Sequence, residues 1–375
     1  MSHSLTIAFD AKRALYNRTG LGNYSRNIIR SLALFAPDHK YLAYAPSKKT
    51  PLSFTFPANV QVKYPRTLLA AQLPSLWRSA GIVRDLEKDH VQLFHGLSNE
   101  IPFGLHRKKI ASVVSIHDLI FFRFPEMYRY ADRCIYKNKI RYALKYADAI
   151  VAVSEQTKQD IVDFFSVPES TIHVIYQSCD TAFTREFSVQ EKEIVRKRYS
   201  LPNNYLLYVG TIERRKNVLN LVKAVHRLND SPSLVVIGKP TRYLTEVIDY
   251  IKTNKIGNIV LLHDVPSEDL PLIYGGAMVF VYPSLYEGFG IPVLEALSAG
   301  IPVITGNSKC FKEITGDAAI SVDSRNPEDI AQAIRSLLDN EMLRNNLKDK
   351  GKKRAACFSE EKIAGNMMSL YQSLL

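Results

Sequence analysis

The residues of this sequence best suited to chemistry are two glutamates eight positions apart, Glu287 and Glu295, in the segment YPSLYEGFGIPVLEALSAG. Glu287 follows the apolar run Met278–Tyr282, which predicts a buried strand, and two glycines then open a helix predicted over 290–298. Pro292 falls in the first turn of that helix, where its missing amide proton is not needed. Backbone amides near the glycines can therefore receive phosphate or sugar hydroxyls, and each carboxylate can accept hydrogen bonds from hydroxyls.

A second candidate is the segment Gly210–Asn217 (GTIERRKN), which holds three adjacent cations between a strand predicted over 205–209 and a helix predicted over 218–228. Arginine supplies a planar fork of donors and lysine a compact charge, and together they suit a diphosphate at the start of a helix. The alternative is a solvated basic turn. Two carboxylates also occur in glycosidases, but the adjoining anion site favours a charged leaving group instead.

Two weaker signals also follow predicted strands. His117 and Asp118 come directly after the β-rich run IASVVSI, where α/β enzymes place site residues, although a histidine there is as often structural. Gly20 and Gly22 lie between the first predicted strand and the first predicted helix, where they allow a tight turn beside a negatively charged ligand. The match to GxGxxG fails at Ser25, and a plain turn explains the two glycines equally well.

Apolar strand-like runs alternate with helical patterns along the whole chain, which predicts parallel sheets built from βαβ units. Two such series are separated near residues 180–189, where the apolar periodicity lapses. The fold class is therefore α/β with two doubly wound domains, and ligands are expected at the carboxyl ends of the strands. The predicted strands are 6–9, 93–95, 110–117, 149–153, 172–176, 205–209, 233–237, 259–262, 278–282 and 302–305. The predicted helices are 24–34, 128–146, one beginning at 155, 218–228, 245–254 and 290–298.

The composition, with 46% hydrophobic and 23% charged residues over 375 positions, is typical of a globular protein of two domains. No stretch approaches the roughly 20 consecutive apolar residues of a membrane span, and the first residues lack a signal-peptide pattern. We therefore expect a cytoplasmic protein. The four cysteines stand singly at Cys134, Cys179, Cys310 and Cys357, which favours a reducing compartment and argues against a structural zinc site.

The net charge of +12 is concentrated in the first half of the chain. Residues 1–180 contain 24 lysines and arginines against 15 acidic residues, whereas residues 181–375 contain 25 against 22. A basic half can face nucleic acid, an anionic membrane or an anionic substrate. A nucleic-acid-binding protein is disfavoured, because the charge does not coincide with an RNA- or DNA-binding motif.

At the segments quoted above, the sequence resembles the retaining glycosyltransferases of family 4. YVGTIERRKN, YPSLYEGFGIPVLEA followed by SAGIPVIT, SIHDLI and VSEQTKQDI fall in the order and spacing of that family, and the resemblance covers nearly the whole chain. It implies the GT-B fold, in which two Rossmann-like domains face each other across a cleft. The implied acceptor-binding domain is 1–182, completed by a C-terminal helix at about 361–375, and the implied donor-binding domain is 183–360.

The resemblance also implies roles for the candidate residues. Arg215 and Lys216 match the pair that binds the donor diphosphate and replaces a metal ion, so no metal or other cofactor is expected. Glu287 matches the acid that contacts donor-sugar hydroxyls, and Glu295 the acid that holds the ribose. The implied catalytic residues are His117, Arg215, Lys216 and Glu287. The implied donor-binding residues are Gly20, Gly22, Asp118, Gly210, Arg215, Lys216, Glu287, Gly288, Phe289, Gly290 and Glu295.

The sequence departs from the family pattern at two places. Tyr176–Asp180 (YQSCD) stands where many members have an Asn-Gly turn before the crossover between domains, which leaves the donor site untouched. Arg214 stands where proline is common, and it either adds a third cation or faces solvent. The four residues to which the resemblance assigns catalysis or ribose binding in the second domain are intact, which argues against an inactive homologue.

The resemblance therefore implies transfer of a hexose, with retention of configuration, from a nucleotide diphosphate sugar to a glycan or lipid-linked acceptor of surface polysaccharide or lipopolysaccharide. GDP-mannose is the favoured donor and a UDP-linked glucose or N-acetylglucosamine the alternative. A nucleotide-sugar epimerase of the same fold is a further alternative, distinguished by needing no acceptor. The basic segments Arg66–Leu86 and Tyr128–Lys145 suit peripheral contact with an anionic membrane, and equally a solvated surface.

Overall fold

The protein is described by a computed structural model that covers residues 4–17, 19–48 and 54–375. The chain divides into two compact units, the first of residues 4–178 and 358–375 and the second of residues 179–357. The sequence predicted a division after residue 182 and a returning helix from about residue 361. Residues 1–3 of the first predicted domain lie outside the described residues.

The first unit is built on a parallel sheet of seven strands, in the order β3-β2-β1-β4-β5-β6-β7. Its strands are Thr6–Asp10 (β1), Lys40–Tyr44 (β2), Val60–Lys63 (β3), Leu93–Gly96 (β4), Ala111–Ile116 (β5), Ala149–Ala152 (β6) and Ile172–Val174 (β7). Helices cover the sheet, so its central strands are buried and read as continuous apolar runs. The strand order reverses between β1 and β4, which is where such sheets bind ligands.

The second unit has a parallel sheet of six strands, in the order β10-β9-β8-β11-β12-β13. Its strands are Tyr205–Val209 (β8), Ser233–Ile237 (β9), Ile259–Leu262 (β10), Val279–Tyr282 (β11), Val303–Gly306 (β12) and Ala319–Val322 (β13). Here the order reverses between β8 and β11, and both of these strands are fully buried. Any residue that follows either strand therefore lies at the ligand-binding edge of this unit.

The helices connect successive strands and cover the sheets. In the first unit they are Lys12–Tyr16 (α1), Gly20–Phe35 (α2), Leu68–Gln72 (α3), Pro74–Leu76 (α4), Ile82–Lys88 (α5), Ile120–Arg123 (α6), Tyr130–Tyr146 (α7) and Glu155–Phe165 (α8). In the second they are Val189–Arg198 (α9), Val218–His226 (α10), Tyr243–Thr253 (α11), Leu270–Gly276 (α12), Ile291–Ser298 (α13), Lys309–Thr315 (α14), Pro327–Asp339 (α15) and Glu341–Ala355 (α16). A last helix, Glu360–Ser373 (α17), belongs to the first unit. Within the described ranges, no helix combines the length and apolarity that a membrane crossing needs.

The C-terminal helix α17 is tied into the first unit by a buried chain of hydrogen bonds. The hydroxyl of Tyr371 on α17 lies 2.5 Å from Nδ1 of His95 on β4, and Nε2 of His95 lies 2.8 Å from Oγ of Ser115 on β5. Ser115 Oγ in turn lies 2.6 Å from the hydroxyl of Tyr24 on α2. All four side chains are buried, and burial lowers the pKa of His95 to about 3, so this ring is neutral at physiological pH.

The predicted loop around Gly20 and Gly22 is wrong, because both glycines lie in the first turn of α2. The extended backbone of Thr19 starts that helix, and the short helix α1, which the sequence did not predict, precedes it. A β-carbon on Gly22 would lie 1.8 Å from the carbonyl oxygen of Asn17, whereas one on Gly20 would meet nothing within 4 Å. Gly22 is therefore required by the tight corner between the two helices, and Gly20 is not.

Candidate active site

The cationic loop follows β8 at the ligand-binding edge of the second unit. Arg214–Lys216 forms a single 3-10 turn that ends at Asn217, whose φ of 63° is in the left-handed region that asparagine tolerates. The side-chain amide of Asn217 donates to the carbonyl oxygen of Pro283 at 3.2 Å, in the loop after β11. The backbone amide of Leu285 also donates to the carbonyl of Arg215 at 2.8 Å, so the two loops form one structure.

Arg215 points into this structure and is almost fully buried. Its guanidinium lies 2.8 Å from Oε1 of Glu287 and 2.6 Å from Oε1 of Glu213, and it also donates to the carbonyl oxygen of Tyr286. These contacts fix the loop that carries Glu287. The contact of Arg215 with a donor diphosphate remains a prediction.

Lys216 lies beside Arg215 but has a less crowded environment. Its Nζ donates to the hydroxyl of Tyr282 at 2.9 Å, lies 3.7 Å from Oε1 of Glu287 and is 5.5 Å from the centre of the Tyr282 ring. Within the described residues this is the one hydrogen bond that Nζ makes, so two of its three protons remain for a ligand. A β-carbon on Gly210 would lie 3.3 Å from this Nζ, so a side chain at that position would crowd the lysine.

Glu287 is held as a carboxylate by the groups around it. Oε1 accepts from the Tyr282 hydroxyl at 2.9 Å and from the Ser284 hydroxyl at 3.1 Å, in addition to its pairs with Arg215 and Lys216. Burial by itself raises the pKa of Glu287, but the charges of Arg215 and Lys216 outweigh it, and the pKa lies below its ordinary value. The carboxylate is therefore charged, oriented and able to accept hydrogen bonds from sugar hydroxyls.

Tyr282 joins the lysine to the glutamate. Its ring is fully buried and stacks between Tyr208 and Phe280, with ring centres 5.6 and 5.8 Å apart. Burial and the neighbouring Glu287 raise the pKa of its hydroxyl far above the ordinary value, so it stays protonated and donates to Glu287. Tyr282, Ser284 and Tyr274 were given no role in the sequence analysis, and nothing in the sequence distinguishes them from core residues.

Glu295 lies on α13, which begins at Ile291 after Gly290 and carries Pro292 in its first turn, in agreement with the predicted helix. Its Oε2 accepts from the buried Tyr274 hydroxyl at 3.0 Å. Burial raises the pKa of Glu295 to about 7, so near neutral pH it is divided between the acid and the carboxylate. Its environment therefore differs from that of Glu287, although both are glutamates of one motif.

The other residues of the predicted donor site occupy different environments. Gly288 and Phe289 are buried between Glu287 and the helix, and Gly290 has a φ of 114°, which favours glycine. Arg214 faces away from the loop: its side chain is 66% exposed, pairs with Glu246 and lies over the Tyr243 ring. Of the three predicted cations, the site therefore contains two.

His117 and Asp118 belong to the first unit, where they follow β5. Nε2 of His117 donates to the carbonyl oxygen of Leu97 at 2.8 Å, and its ring packs edge-on against Tyr24 with ring centres 4.5 Å apart. Burial lowers the pKa of His117 to about 4, so its neutral ring carries the lone pair on Nδ1. Asp118 accepts from the backbone amide of Ile120 at 3.2 Å and thereby supports the start of α6.

The structure thus gathers Gly210, Lys216 and Glu287 with Arg215 in the second unit, and fixes His117 in the first. Gly20 and Gly22 start a helix of the first unit. Across the described ranges, no group of three or more His, Cys, Asp or Glu side chains is arranged to hold a metal ion.

Two family profiles match the chain side by side. Residues 18–183 match the profile described as Glycosyltransferase Family 4, and residues 189–354 match the profile described as Glycosyl transferases group 1. The chain belongs to glycosyltransferase family 4. The family predicted from the sequence is confirmed, and with it the prediction of a glycosyltransferase.

The chain is similar over its whole length to the O-antigen chain mannosyltransferase B of Escherichia coli, with 28% identity over 99% of this chain and 100% of that protein. Sucrose-phosphate synthase from Thermosynechococcus elongatus has the same fold, with a TM-score of 0.80, 20% identity and 99% of each chain covered. WaaG, a glycosyltransferase involved in lipopolysaccharide biosynthesis, gives a TM-score of 0.74 with 16% identity, over 98% of this chain and 99% of that one. These likenesses confirm the predicted GT-B fold class with its two Rossmann-like domains.

Proposed function

We propose that this glycosyltransferase transfers a hexose from a nucleotide diphosphate sugar to a glycan or lipid-linked acceptor, in the synthesis of a surface polysaccharide or lipopolysaccharide. The observation that carries the proposal is the linked group Lys216–Tyr282–Glu287 at the strand reversal of the second sheet. It combines an ammonium group with free protons and a charged carboxylate. These suit the two ends of such a donor, the diphosphate and the sugar hydroxyls.

The reaction proposed proceeds with retention of the anomeric configuration. The acceptor hydroxyl attacks the sugar on the face from which the diphosphate departs, through a transition state with oxocarbenium character. Lys216 stabilises the negative charge that grows on the departing phosphate, and Arg215 holds Glu287 in place. Most of the rate enhancement then comes from orientation and from fixed charges, with no metal ion required.

Product analysis tests this mechanism. With GDP-α-mannose as donor, retention gives an α-linked product, which the one-bond carbon–proton coupling of the anomeric centre identifies by NMR. Activity that survives exhaustive treatment with EDTA supports the role given to the two cations. A β-linked product would contradict retention, and full dependence on an added divalent ion would contradict metal independence.

GDP-mannose is the donor we propose, because the Escherichia coli relative that matches the whole chain is named a mannosyltransferase. A ligand that binds the folded state stabilises that state by about 2.7 kcal/mol when its free concentration is 100 times its dissociation constant. This stabilisation raises the melting temperature by several degrees. Thermal-shift measurements with GDP-mannose, UDP-glucose, UDP-N-acetylglucosamine and ADP-glucose should therefore give the largest increase with GDP-mannose. A larger increase with either UDP-sugar would favour the alternative donor, and nucleotide release without an acceptor would favour an epimerase.

We also propose that the first unit makes peripheral contact with an anionic membrane. In α3 and α4, Leu68, Leu69 and Leu76 are 85%, 68% and 65% exposed. No residue of these two helices is buried. An exposed apolar group of this kind is unusual on a soluble surface. Trp77 falls within the predicted membrane segment Arg66–Leu86, but it is buried and donates to Asp85 at 2.8 Å.

Vesicle sedimentation tests the membrane contact. Binding to phosphatidylglycerol-containing vesicles should exceed binding to phosphatidylcholine vesicles and should weaken with salt, because electrostatic attraction is screened. The double exchange Leu68→Ser and Leu69→Ser should abolish it. Val189, 80% exposed in the second unit, provides the control exchange Val189→Ser. Equal binding by the double variant, or binding indifferent to both salt and lipid charge, would contradict the proposal.

A further inference from the structure

The histidine that follows β5 is held at its main chain and at one ring nitrogen. The backbone amide of His117 donates to Oδ1 of Asn99 at 2.9 Å, and its carbonyl oxygen accepts from the hydroxyl of Thr157 at 3.3 Å. Its Nε2 donates to the carbonyl oxygen of Leu97 at 2.8 Å. The remaining freedom is a twist of the ring about the bond from Cβ to Cγ, and this torsion has broad minima in histidine. Another contact must therefore set the direction of the lone pair on Nδ1.

The ring of Tyr24 on α2 supplies that contact. It packs edge-on against the His117 ring, with ring centres 4.5 Å apart and an angle of 90° between the rings. Both side chains are buried, so neither ring has open space into which it could turn. An edge-to-face pair at this distance loses contact or collides when one ring twists. The position of Tyr24 therefore sets the twist of the His117 ring.

Tyr24 is itself anchored on the strand that leads to His117. Its hydroxyl lies 2.6 Å from Oγ of Ser115, a residue of β5 two positions before His117. Residues two apart on a strand face the same side of the sheet, and about 6.6 Å separates them. Tyr24 lies along this face, with its hydroxyl at Ser115 and its ring at His117. Burial raises the pKa of Tyr24 far above its ordinary value, so the hydroxyl keeps its proton.

The anchor extends to the C-terminal helix through a second histidine. Oγ of Ser115 lies 2.8 Å from Nε2 of His95, and Nδ1 of His95 lies 2.5 Å from the hydroxyl of Tyr371 on α17. Because the His95 ring is neutral, one of its nitrogens donates and the other accepts, and both are engaged in this chain. Hydrogen bonds therefore run without a break from α17 to the tyrosine that packs on His117.

We propose that Tyr24 is a positioning residue for His117. The hydrogen-bonded chain that starts at Tyr371 keeps Tyr24 in place, so the last helix serves the reaction without touching a substrate. The geometric part rests on contacts within the first unit alone. The kinetic part rests on the function proposed above, because the catalytic role of His117 is a prediction from the family resemblance.

Histidine NMR on the full chain tests the geometry without donor or turnover. The protein carries isotope-labelled histidine, and the His117 signals are assigned by their absence from His117→Gln. The ring current of Tyr24 shifts the ring protons of His117, so these chemical shifts report how the two rings are placed. Tyr24→Phe and Tyr371→Phe each remove one hydroxyl and keep the ring, and both should move or split the His117 ring signals. Tyr44→Phe is the matched control, since Tyr44 is a buried tyrosine of β2 whose hydroxyl donates to Asp89 at 2.6 Å; it should leave them unchanged.

A variant without the aromatic ring gives a second measurement. Burial above all, with the charge of Arg13 adding to it, lowers the pKa of His117 to about 4. Tyr24→Leu opens a path for water to the His117 ring, so the midpoint of its NMR titration should rise toward the ordinary value of 6.5. The melting-temperature increase caused by GDP should stay as in the wild type in every variant, which shows that each one folds.

The kinetic signature is a lower kcat at an unchanged KM for the donor. Tyr24→Phe and Tyr371→Phe should each lower kcat by about fivefold, the ratio that corresponds to one lost hydrogen bond, whereas Tyr44→Phe should keep the wild-type kcat. Unchanged His117 signals in both Phe variants, an unchanged midpoint in Tyr24→Leu, or equal changes in Tyr44→Phe would overturn the proposal. Altered signals with a wild-type kcat would support the positioning and refute the catalytic role of His117, which is the part that belongs to the proposed function.

Discussion

Replacing Lys216 by methionine removes one positive charge from the candidate site and keeps an apolar stem of similar length. Glu287 retains its pair with Arg215 at 2.8 Å and its hydrogen bonds from Tyr282 and Ser284, so the carboxylate stays charged and in place. The exchange removes one hydrogen bond, from Nζ to Tyr282, and a looser contact at 3.7 Å. We therefore expect the free energy of unfolding to fall by only about 1 kcal/mol.

The effect on catalysis should be far larger. In the proposed mechanism the charge of Lys216 faces the phosphate on which negative charge grows, and two unit charges about 4 Å apart interact by about 4 kcal/mol at an effective dielectric constant near 20. Loss of one such stabilising group typically lowers kcat by about 10²–10³. The dissociation constant of GDP, which reports ground-state binding, should rise by less than about tenfold, because the stabilisation is greatest in the transition state.

Initial rates over a range of GDP-mannose concentrations, with calorimetric titration of GDP, separate the two effects. Arg214→Gln is the matched control, since it removes the neighbouring cation, whose exposed side chain pairs with Glu246 outside the site. This variant should retain activity within about twofold, as expected for a surface charge. The assigned role of Lys216 would be refuted if Lys216→Met raised KM and left kcat intact, or if Arg214→Gln were equally damaging.

Three further outcomes are expected. Because the pKa of Glu295 is raised from 4.5 to about 7, the folded protein holds this proton to a higher pH than the unfolded chain does. The free energy of unfolding therefore falls as pH rises between those two values. Urea titrations at pH 5 and pH 8 should show that Glu295→Gln removes about 1–3 kcal/mol of this fall. Gly22→Ala should lower the free energy of unfolding by about 2–3 kcal/mol, whereas Gly20→Ala should change it by less than about 1 kcal/mol. Thermal unfolding of both variants measures the difference, and equal effects would contradict the steric role of Gly22. Tyr371→Phe leaves Nδ1 of His95 without its partner and should cost about 1–3 kcal/mol in the same measurement, and no change would mean that the buried bond contributes nothing.

Much of the fold was predictable because its central strands are continuous apolar runs. β5, β6, β8, β9 and β11 were all predicted close to their observed bounds, since burial on both faces leaves a strong signal in the sequence. The strands β2, β3 and β13 were missed. β3 and β13 each occupy an edge of their sheet, and partial exposure there weakens the apolar run. β2 lies inside its sheet with residues 41–44 buried, so its short run KYLAY was missed for a reason other than exposure.

The candidate site was predictable as a set of residues but not as an arrangement. Spacing after β8 and β11 was enough to name Arg215, Lys216 and Glu287, because adjacent parallel strands bring their following loops together. It could not show that Tyr282 links lysine to glutamate, because that contact depends on where a core tyrosine directs its hydroxyl. Nor could it show that Arg214 faces outward, since three adjacent cations look alike in a sequence.

A cluster of charged side chains in the first unit was invisible in the sequence for a related reason. Asp10, Arg78, Glu100 and Lys139 come from four separate segments, so no local motif contains them. Arg78 also depends on a π-helical turn, which sequence periodicity does not predict. Charged residues that meet only through tertiary structure are therefore the part of this protein that sequence reasoning overlooks.

The hydrogen bond between His95 and Tyr371 has a consequence for how the protein folds during its synthesis. The two residues are 276 positions apart in the chain, yet their side chains are in contact inside the first unit. A ribosome makes residues in order, so α17 emerges only after the whole of the second unit has been synthesised. The second unit, which is continuous over 179–357, is then complete before the first, and the nascent first unit keeps the surface that receives α17 open to solvent for that interval. The first unit is therefore synthesised first but completes its fold last.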